Sequence, residues 1–446
     1  MSSSQPLSAK TALGRLPVLK SPRILGNWVL WLEQRPHEKG RTTAMIRPWL
    51  QTDATAKELT AAPANLRCRI HEYGGGAMAV ALMGDNLLLT WIDDGDGCLW
   101  QQTWRGLGSE DCAALTAKQP IRISAPGSWA LGGGLIDQTR LRWLGVMECN
   151  GRDQLVSVAL NQSDQHPKVL HAADDFVGYP ALSADGSQLA WVEWRQPAMP
   201  WDASELRCAC LSPEGQLMQV QTLAGSRPDA EQAISVFQPL WQPDGSLIVA
   251  EDSSGWWNLM RLADPASGKR NWERPWPMQA ETAMPQWVFG MSTSAWDGEQ
   301  LLAAICSEGR WELKQLRGDG TILSLDQPFD DLADLHADAG RAVVIASNSH
   351  IGQGLLELEL STGDWQHTPA GMAALPIEAI SSAEPLWFEG AGNLRTHAWY
   401  YPPLGGASSE TPLLVKSHSG PTAMAGRGLS LGICLLYTSP SPRDSV

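Results

Sequence analysis

The sequence predicts a mainly β protein: a seven-bladed β-propeller over residues 21–374, followed by a shorter unit of different texture. Three observations carry this. Short turns rich in Asp, Gly and Asn recur seven times at intervals of 41 to 59 residues. Apolar, strand-like runs follow these turns. Helical periodicity is weak between Gly26 and Gly363.

The turns are Gly26-Asn27, Gly84-Asp85, Asp137-Gln138, Asp185-Gly186, Asp244-Gly245, Asp297-Gly298 and Asp338-Ala339. Five of the runs behind them read WVLWLEQR, NLLLTWID, QLAWVEWR, SLIVAEDS and QLLAAICS. A repeat of about 40 to 60 residues with several short strands is the signature of propeller blades. One blade cannot bury both faces of its sheet; a ring of blades can, and it leaves only short edges exposed. A pair of β-sandwiches is the alternative with similar strand spacing.

The chain of 446 residues is 43% hydrophobic and 18% charged, enough to bury a large core. It contains 22 Trp against 5 Tyr and 5 Phe, and flat indoles pack well on pleated sheet. The net charge of −15 argues against a nucleic-acid partner, which would need clustered Lys and Arg, and against an anionic membrane. MSSSQPLSAKTALGRLP, within the extension expected over 1–20, has no apolar signal region, and no run is long enough to span a membrane. The eight cysteines show no C-x-x-C or Cys/His metal spacing. These features predict a cytoplasmic protein with reduced thiols, no metal and no cofactor.

After about residue 374 the texture changes. EPLWFEGAGNLRTHAWYYPP reads as a hairpin around a Gly-Asn turn, and GGASSE as a linker. TPLLVKSHSGPT then reads as a buried strand, 413–416, running into a Gly-Pro loop, which is how an α/β-hydrolase domain begins. The expected fold is therefore the propeller followed by a truncated start of an α/β-hydrolase domain over 375–431.

Four stretches resemble the prolyl oligopeptidase family of serine peptidases, in its acylaminoacyl-peptidase and dipeptidyl-peptidase-like branch. They are WLEQRPHEKGRT (31–42), RCRIHEYGGGAM (67–78), FQPLWQPDGSLIVAEDSSGWWNL (237–259) and LLVKSHSGPTA (413–423). The resemblance implies a propeller that filters short peptides on their way to a hydrolase domain. There a serine attacks the carbonyl, a histidine shuttles the proton and an aspartate orients the histidine. It also implies an oxyanion loop at His418, Ser419 and Gly420, where the family has Gly at the position of Ser419.

Within the propeller, His71, Glu72 and Tyr73 are candidate substrate-facing residues. A tight inter-blade turn with hydrogen-bonded His and Tyr is the competing reading. Gly428-Leu-Ser430-Leu-Gly432 fits G-x-S-x-G. A nucleophile elbow, however, needs a strand before the serine, a helix after it and a later histidine. No His follows His418, so no catalytic residue is expected in this chain. The tail 432–446, with its Ser-Pro-Ser-Pro, reads as non-native sequence fused to a truncated frame. Asp93-Asp94-Gly95-Asp96-Gly97 reads as a hairpin turn, because the spacing of a calcium loop is missing. Trp256-Trp257-Asn258 is expected in a blade core, and Phe329-Asp330-Asp331 on a solvated face.

Overall fold

A computed structural model describes residues 16–371, 375–418 and 422–430. Seven antiparallel sheets follow one another along the chain, at 18–58, 78–122, 130–172, 176–225, 236–273, 294–324 and 331–369. Each has four strands in sequence order, and the second has a short fifth. They form a seven-bladed propeller. The first strand of each blade lines the axis, and the first strands of blades 1 and 7 lie side by side to close the ring. The first strand begins at Val18, within the extension expected over 1–20.

All seven turns read from the sequence connect the first strand of a blade to its second. Where the pair is Asp-Gly, the chemistry is explicit. The carboxylates of Asp185, Asp244 and Asp297 accept the amides of Ser187, Ser246 and Glu299 at 3.0, 2.9 and 2.7 Å. The following glycine takes a positive φ. The second strands are the apolar runs, because a strand flanked on both sides within its blade and packed on both faces needs apolar residues throughout. Trp28–Arg35 and Leu301–Ser307 are buried along most of their length. Outer strands such as Lys168–Ala172 are open to solvent.

The core is a series of clusters between neighbouring blades. One joins blades 1 and 2, a large one joins 2 to 5, and others join 5 to 6 and 6 to 7. The tryptophans do two jobs here. Trp28, Trp143 and Trp191 are among the largest fully buried side chains. Several indole N–H groups also bridge blades: Trp28 to the Leu107 carbonyl at 2.8 Å, Trp241 to Ala181 at 2.9 Å and Trp272 to Leu223 at 3.0 Å.

Among the described residues, no strand is shared between the chain ends at the seam of blades 1 and 7. Side chains close it instead. Leu19, Ile24, Trp31 and Trp49 pack against Val343, Ile345 and Leu355. Arg47 pairs with Glu357, both out of contact with water, and the Arg47 guanidinium also donates to Thr368 Oγ1 at 2.8 Å. The Trp49 indole donates to Glu359 at 2.5 Å, and the Leu19 amide to Gln353 Oε1 at 2.9 Å.

Inner strands of blades 1, 3, 4, 5 and 7 share a bulge. Ser21, Gly133, Tyr179, Gln238 and Asp334 sit there at φ between +49° and +59°. The register shift turns one residue per blade toward the axis. Prolines in otherwise strand-like sequence, Pro22, Pro180 and Pro239, mark three of these bulges.

Beyond the propeller, Glu384–Glu389 and Arg395–Tyr400 form the expected hairpin around the turn at Ala391–Asn393. The strand expected at 413–416 is not there. Leu413, Leu414 and Val415 are 75%, 55% and 81% exposed in irregular chain. A buried strand needs flanking strands to satisfy its backbone, and no described residue pairs with this one. No helix among the described residues is long and apolar enough to cross a membrane.

Candidate functional site

The face opposite the seven turns carries the blade-to-blade connections and the loops between second and third strands. It is called the upper face below. The connection from blade 1 to blade 2 contains His71, Glu72 and Tyr73. Cys68 and Ile70 anchor it in the large core cluster. It then turns through positive φ at His71, Glu72, Gly74, Gly75 and Gly76. Left-handed backbone at two consecutive non-glycine residues is strained. At Gly75 the backbone bridges to Phe289 so closely that a Cβ would stand 2.4 Å from the Phe289 carbonyl oxygen.

His71 is held from several sides. Its Nε2 lies 2.8 and 3.0 Å from the two oxygens of Asp153, and its amide donates to Glu148 Oε2 at 2.7 Å. The ring meets Phe176, Trp194 and Phe289 edge-on, with centroids 5.3 to 6.1 Å away. Burial pushes the Asp153 carboxyl up, against the opposing pull of His71. Glu72 and Tyr73 point the loop's chemistry outward: both are exposed, Tyr73 by 67%. The Tyr73 ring lies 5.6 Å from that of Trp287, which lies 4.4 Å from Trp201. Three aromatic rings from three loops thus form one shelf.

Trp287 ties this shelf to the C-terminal segment through its indole N–H, which donates to the Thr422 carbonyl at 2.8 Å. Residues 422–430 then run across the upper face. The Ala425 carbonyl accepts the Trp399 indole N–H at 2.8 Å, and Arg427 pairs with Asp330 at 3.1 Å. The Gly428 amide donates to Asp331 at 3.0 Å, and the Leu429 amide to the Asn348 carbonyl at 2.8 Å. Phe329-Asp330-Asp331 is therefore no solvated face. Phe329 is 2% exposed, burial pushes both carboxyls up, and the acids grip the chain that crosses them. Sequence spacing could not show this, because the grip joins residues about a hundred positions apart.

His418 is exposed, and Ser419 and Gly420 lie outside the described residues. Ser430 follows irregular chain rather than a strand. The Asp93–Gly97 stretch is a hairpin turn in which Asp93 accepts the amides of Gly95 and Gly97 at 2.9 and 2.8 Å. In Trp256-Trp257-Asn258 the expectation holds unevenly. Asn258 is buried and bonds the backbone of Ala280 and Met278 at 3.0 and 2.7 Å, but Trp256 is 38% exposed in the turn before the strand.

One element was not foreseen. The connection from blade 5 to blade 6 runs inward and packs Phe289 against the blade 1–2 connection and the inner strands of blades 3 and 4. The ring stands against Gly133 and Gly178 of two inner strands, where a Cβ would come within 2.8 and 2.7 Å of it. Tyr179 donates to the Val288 carbonyl at 2.7 Å. The run WVFGM at 287–291 between two blades was the sequence signal.

The described fold is thus a seven-bladed β-propeller followed by a hairpin. Among solved structures, a puromycin-hydrolyzing peptidase of Mycobacterium tuberculosis matches with a TM-score of 0.82 at 23% identity, over 96% of this chain and 65% of that one. A puromycin hydrolase matches at 0.82 and 26% identity, over 96% and 66%. Prolyl oligopeptidase B of Galerina marginata matches at 0.61 and 11% identity, over 87% and 55%. No family model and no curated protein matches the sequence. The chain shares the fold of these peptidase structures and spans about two thirds of the length of the puromycin-hydrolyzing ones.

Proposed function

We propose that the chain is the substrate-receiving part of a serine peptidase that cleaves short peptides and aminoacyl amides of the puromycin type. In the whole protein, the upper face forms the floor of a chamber roofed by the hydrolase domain. Glu72 and Tyr73 face the substrate there, with His71 as the locked base of their loop. His418, Ser419 and Gly420 supply oxyanion donors, each worth about 3 kcal/mol to the transition state. The catalytic Ser, Asp and His belong to the hydrolase domain, and the 446-residue chain is itself inactive, Ser430 serving no nucleophilic role. Acyl transfer by such a triad needs no metal or cofactor. The proposed domain limits are 21–374 for the propeller, whose strands run from Val18 to Pro369, and 375–431 for the start of the hydrolase unit. The setting proposed for the chain is the cytoplasm.

The observation that carries this reading is the relay from Tyr73 through Trp287 to Thr422. It joins two stretches picked out independently by sequence, the second ending two residues past Gly420. The test uses aminoacyl p-nitroanilides and puromycin. The 446-residue chain is expected to hydrolyse neither. The protein encoded by the uninterrupted locus is expected to hydrolyse both, with Tyr73→Ala raising KM more than it lowers kcat. Hydrolysis by the 446-residue chain that disappears with Ser430→Ala would overturn the reading. So would an uninterrupted locus without a later serine and histidine, which would leave a binding propeller.

A further inference from the structure

On the side of Phe289 away from the upper face, the axis opens into a cavity of about 410 Å³. It adjoins a second of about 240 Å³ under the Phe289 ring, and Arg23, Gln238 and Ser292 line both. The polar groups here are unevenly matched. Gln238 is held in place: its oxygen accepts the Thr293 and Ser294 amides at 2.8 and 3.1 Å, and its nitrogen donates to the Ser294 carbonyl at 2.7 Å. Ser292 donates to the Leu335 carbonyl at 2.8 Å.

The donors are not used up. Arg23, from the inner strand of blade 1, places one N–H on the Pro22 carbonyl at 2.8 Å. Among the described residues its fork makes no other hydrogen bond and no ion pair. The Asp334 carboxylate nearby accepts the Ser21 amide at 2.9 Å and attracts the guanidinium electrostatically, without a hydrogen bond or ion pair to it. His336 accepts the Ile24 amide on Nδ1 at 3.2 Å, so the neutral ring carries its proton on Nε2. The Trp296 indole N–H is buried without an acceptor among the described residues. Leu240, Trp241 and Leu335 give the same cavity apolar walls.

We propose that this axial cavity is a binding site for a small carboxylate with an apolar body, its head group on the Arg23 fork and its body against Trp241 and Leu335. Unspent donors around a guanidinium call for an anion with several acceptor positions, and a carboxylate accepts two parallel N–H bonds from arginine. Ala184, Pro243, Trp296 and Ala337 line it beside four of the seven turns, on the side away from Glu72 and Tyr73, so it is a second site, not part of the peptidase chamber.

Isothermal titration of the full 446-residue chain with N-acetyl-L-leucine tests this, with N-acetyl-L-leucinamide and inorganic phosphate as comparisons. The carboxylate is expected to bind one per chain, and the neutral amide at least about tenfold more weakly, since a bond to a charged group contributes about 1.5–3 kcal/mol. Arg23→Gln is expected to lose at least about tenfold, Arg23→Lys to fall between, and Tyr73→Ala to leave binding unchanged. The proposal fails if the carboxylate does not saturate, if the amide binds equally well, if phosphate binds more tightly than the carboxylate, or if Arg23→Gln keeps wild-type affinity. The carboxylate–amide comparison decides it even if the Arg23 variants do not fold. Loss of binding with Tyr73→Ala would move the site to the upper face and also overturn the proposal.

Discussion

Glu357→Gln is the substitution that best tests how the ring is closed. The side chains of Arg47 and Glu357 are 2% and 0% exposed. One Glu357 oxygen takes Arg47 at 3.3 Å and the Leu50 amide at 3.1 Å, and the other takes the second arm of the guanidinium. Burial pushes the Glu357 carboxyl above its ordinary range even though Arg47 opposes this. Desolvation thus outweighs the attraction of the pair. Breaking one partner of such a pair leaves a buried charge alone and costs about 3–5 kcal/mol. Thr368 and the Pro48 carbonyl still hold Arg47, at 2.8 and 3.1 Å, which favours the lower end. The same reasoning predicts that replacing both charges, with Arg47→Met and Glu357→Leu together, is neutral within about 1 kcal/mol or stabilising. Urea unfolding followed by tryptophan fluorescence measures both, and hydrogen exchange locates the loss at Val18–Leu25 and Gly354–Glu359. A cost below about 1 kcal/mol for Glu357→Gln, or a double variant as unstable as the single one, would refute a seam in which unpaired charge is the dominant penalty.

Two further perturbations follow from the axis. Gly178→Ala drives a methyl against the Phe289 ring and is expected to cost about 1–3 kcal/mol, most of it absent in a Phe289→Ala background; additive losses in denaturant melts would count against this packing. His336 is pushed down to about 3 by burial, with Arg23 adding to the effect. Between pH 6.5 and 3 the unfolded chain therefore takes up a proton that the folded one refuses, and stability falls as the pH falls. His336→Asn should flatten that slope by up to about 1.4 kcal/mol per pH unit; melts whose acid limb is unchanged would contradict it.

The frame of the fold was legible because its punctuation is local. An Asp-Gly pair makes its turn with its own side chain and backbone, and the other four turns carry Gly, Asn or Asp as well, so all seven stood out before any strand was paired. Trp256 and the 413–416 strand were misread for a related reason: local apolarity says that a residue would gain from burial, not that a partner exists to bury it. The grip of Asp330 and Asp331 on Arg427 and Gly428 and the seam at Arg47 and Glu357 involve residues far apart in sequence, with no local signature. Phe289 sat in a connection, where sequence patterning reads a loop and cannot say that the loop folds inward. Of the site, the sequence singled out the exposed Glu72 and Tyr73, but not Trp201 and Trp287, which complete the shelf.

Closing the seam with side chains from the first and last blades has a consequence during synthesis. Each blade is one uninterrupted stretch, so the first can pair its own strands as soon as it leaves the ribosome. Its outward apolar flank, with Leu19, Ile24 and Trp49, waits for Val343, Ile345 and Leu355, some three hundred codons later. At about 5–20 residues per second that is roughly 15–60 s in which the newborn chain presents a sticky side to every other polypeptide in the cell, so chaperone demand should be highest just before the last blade is translated.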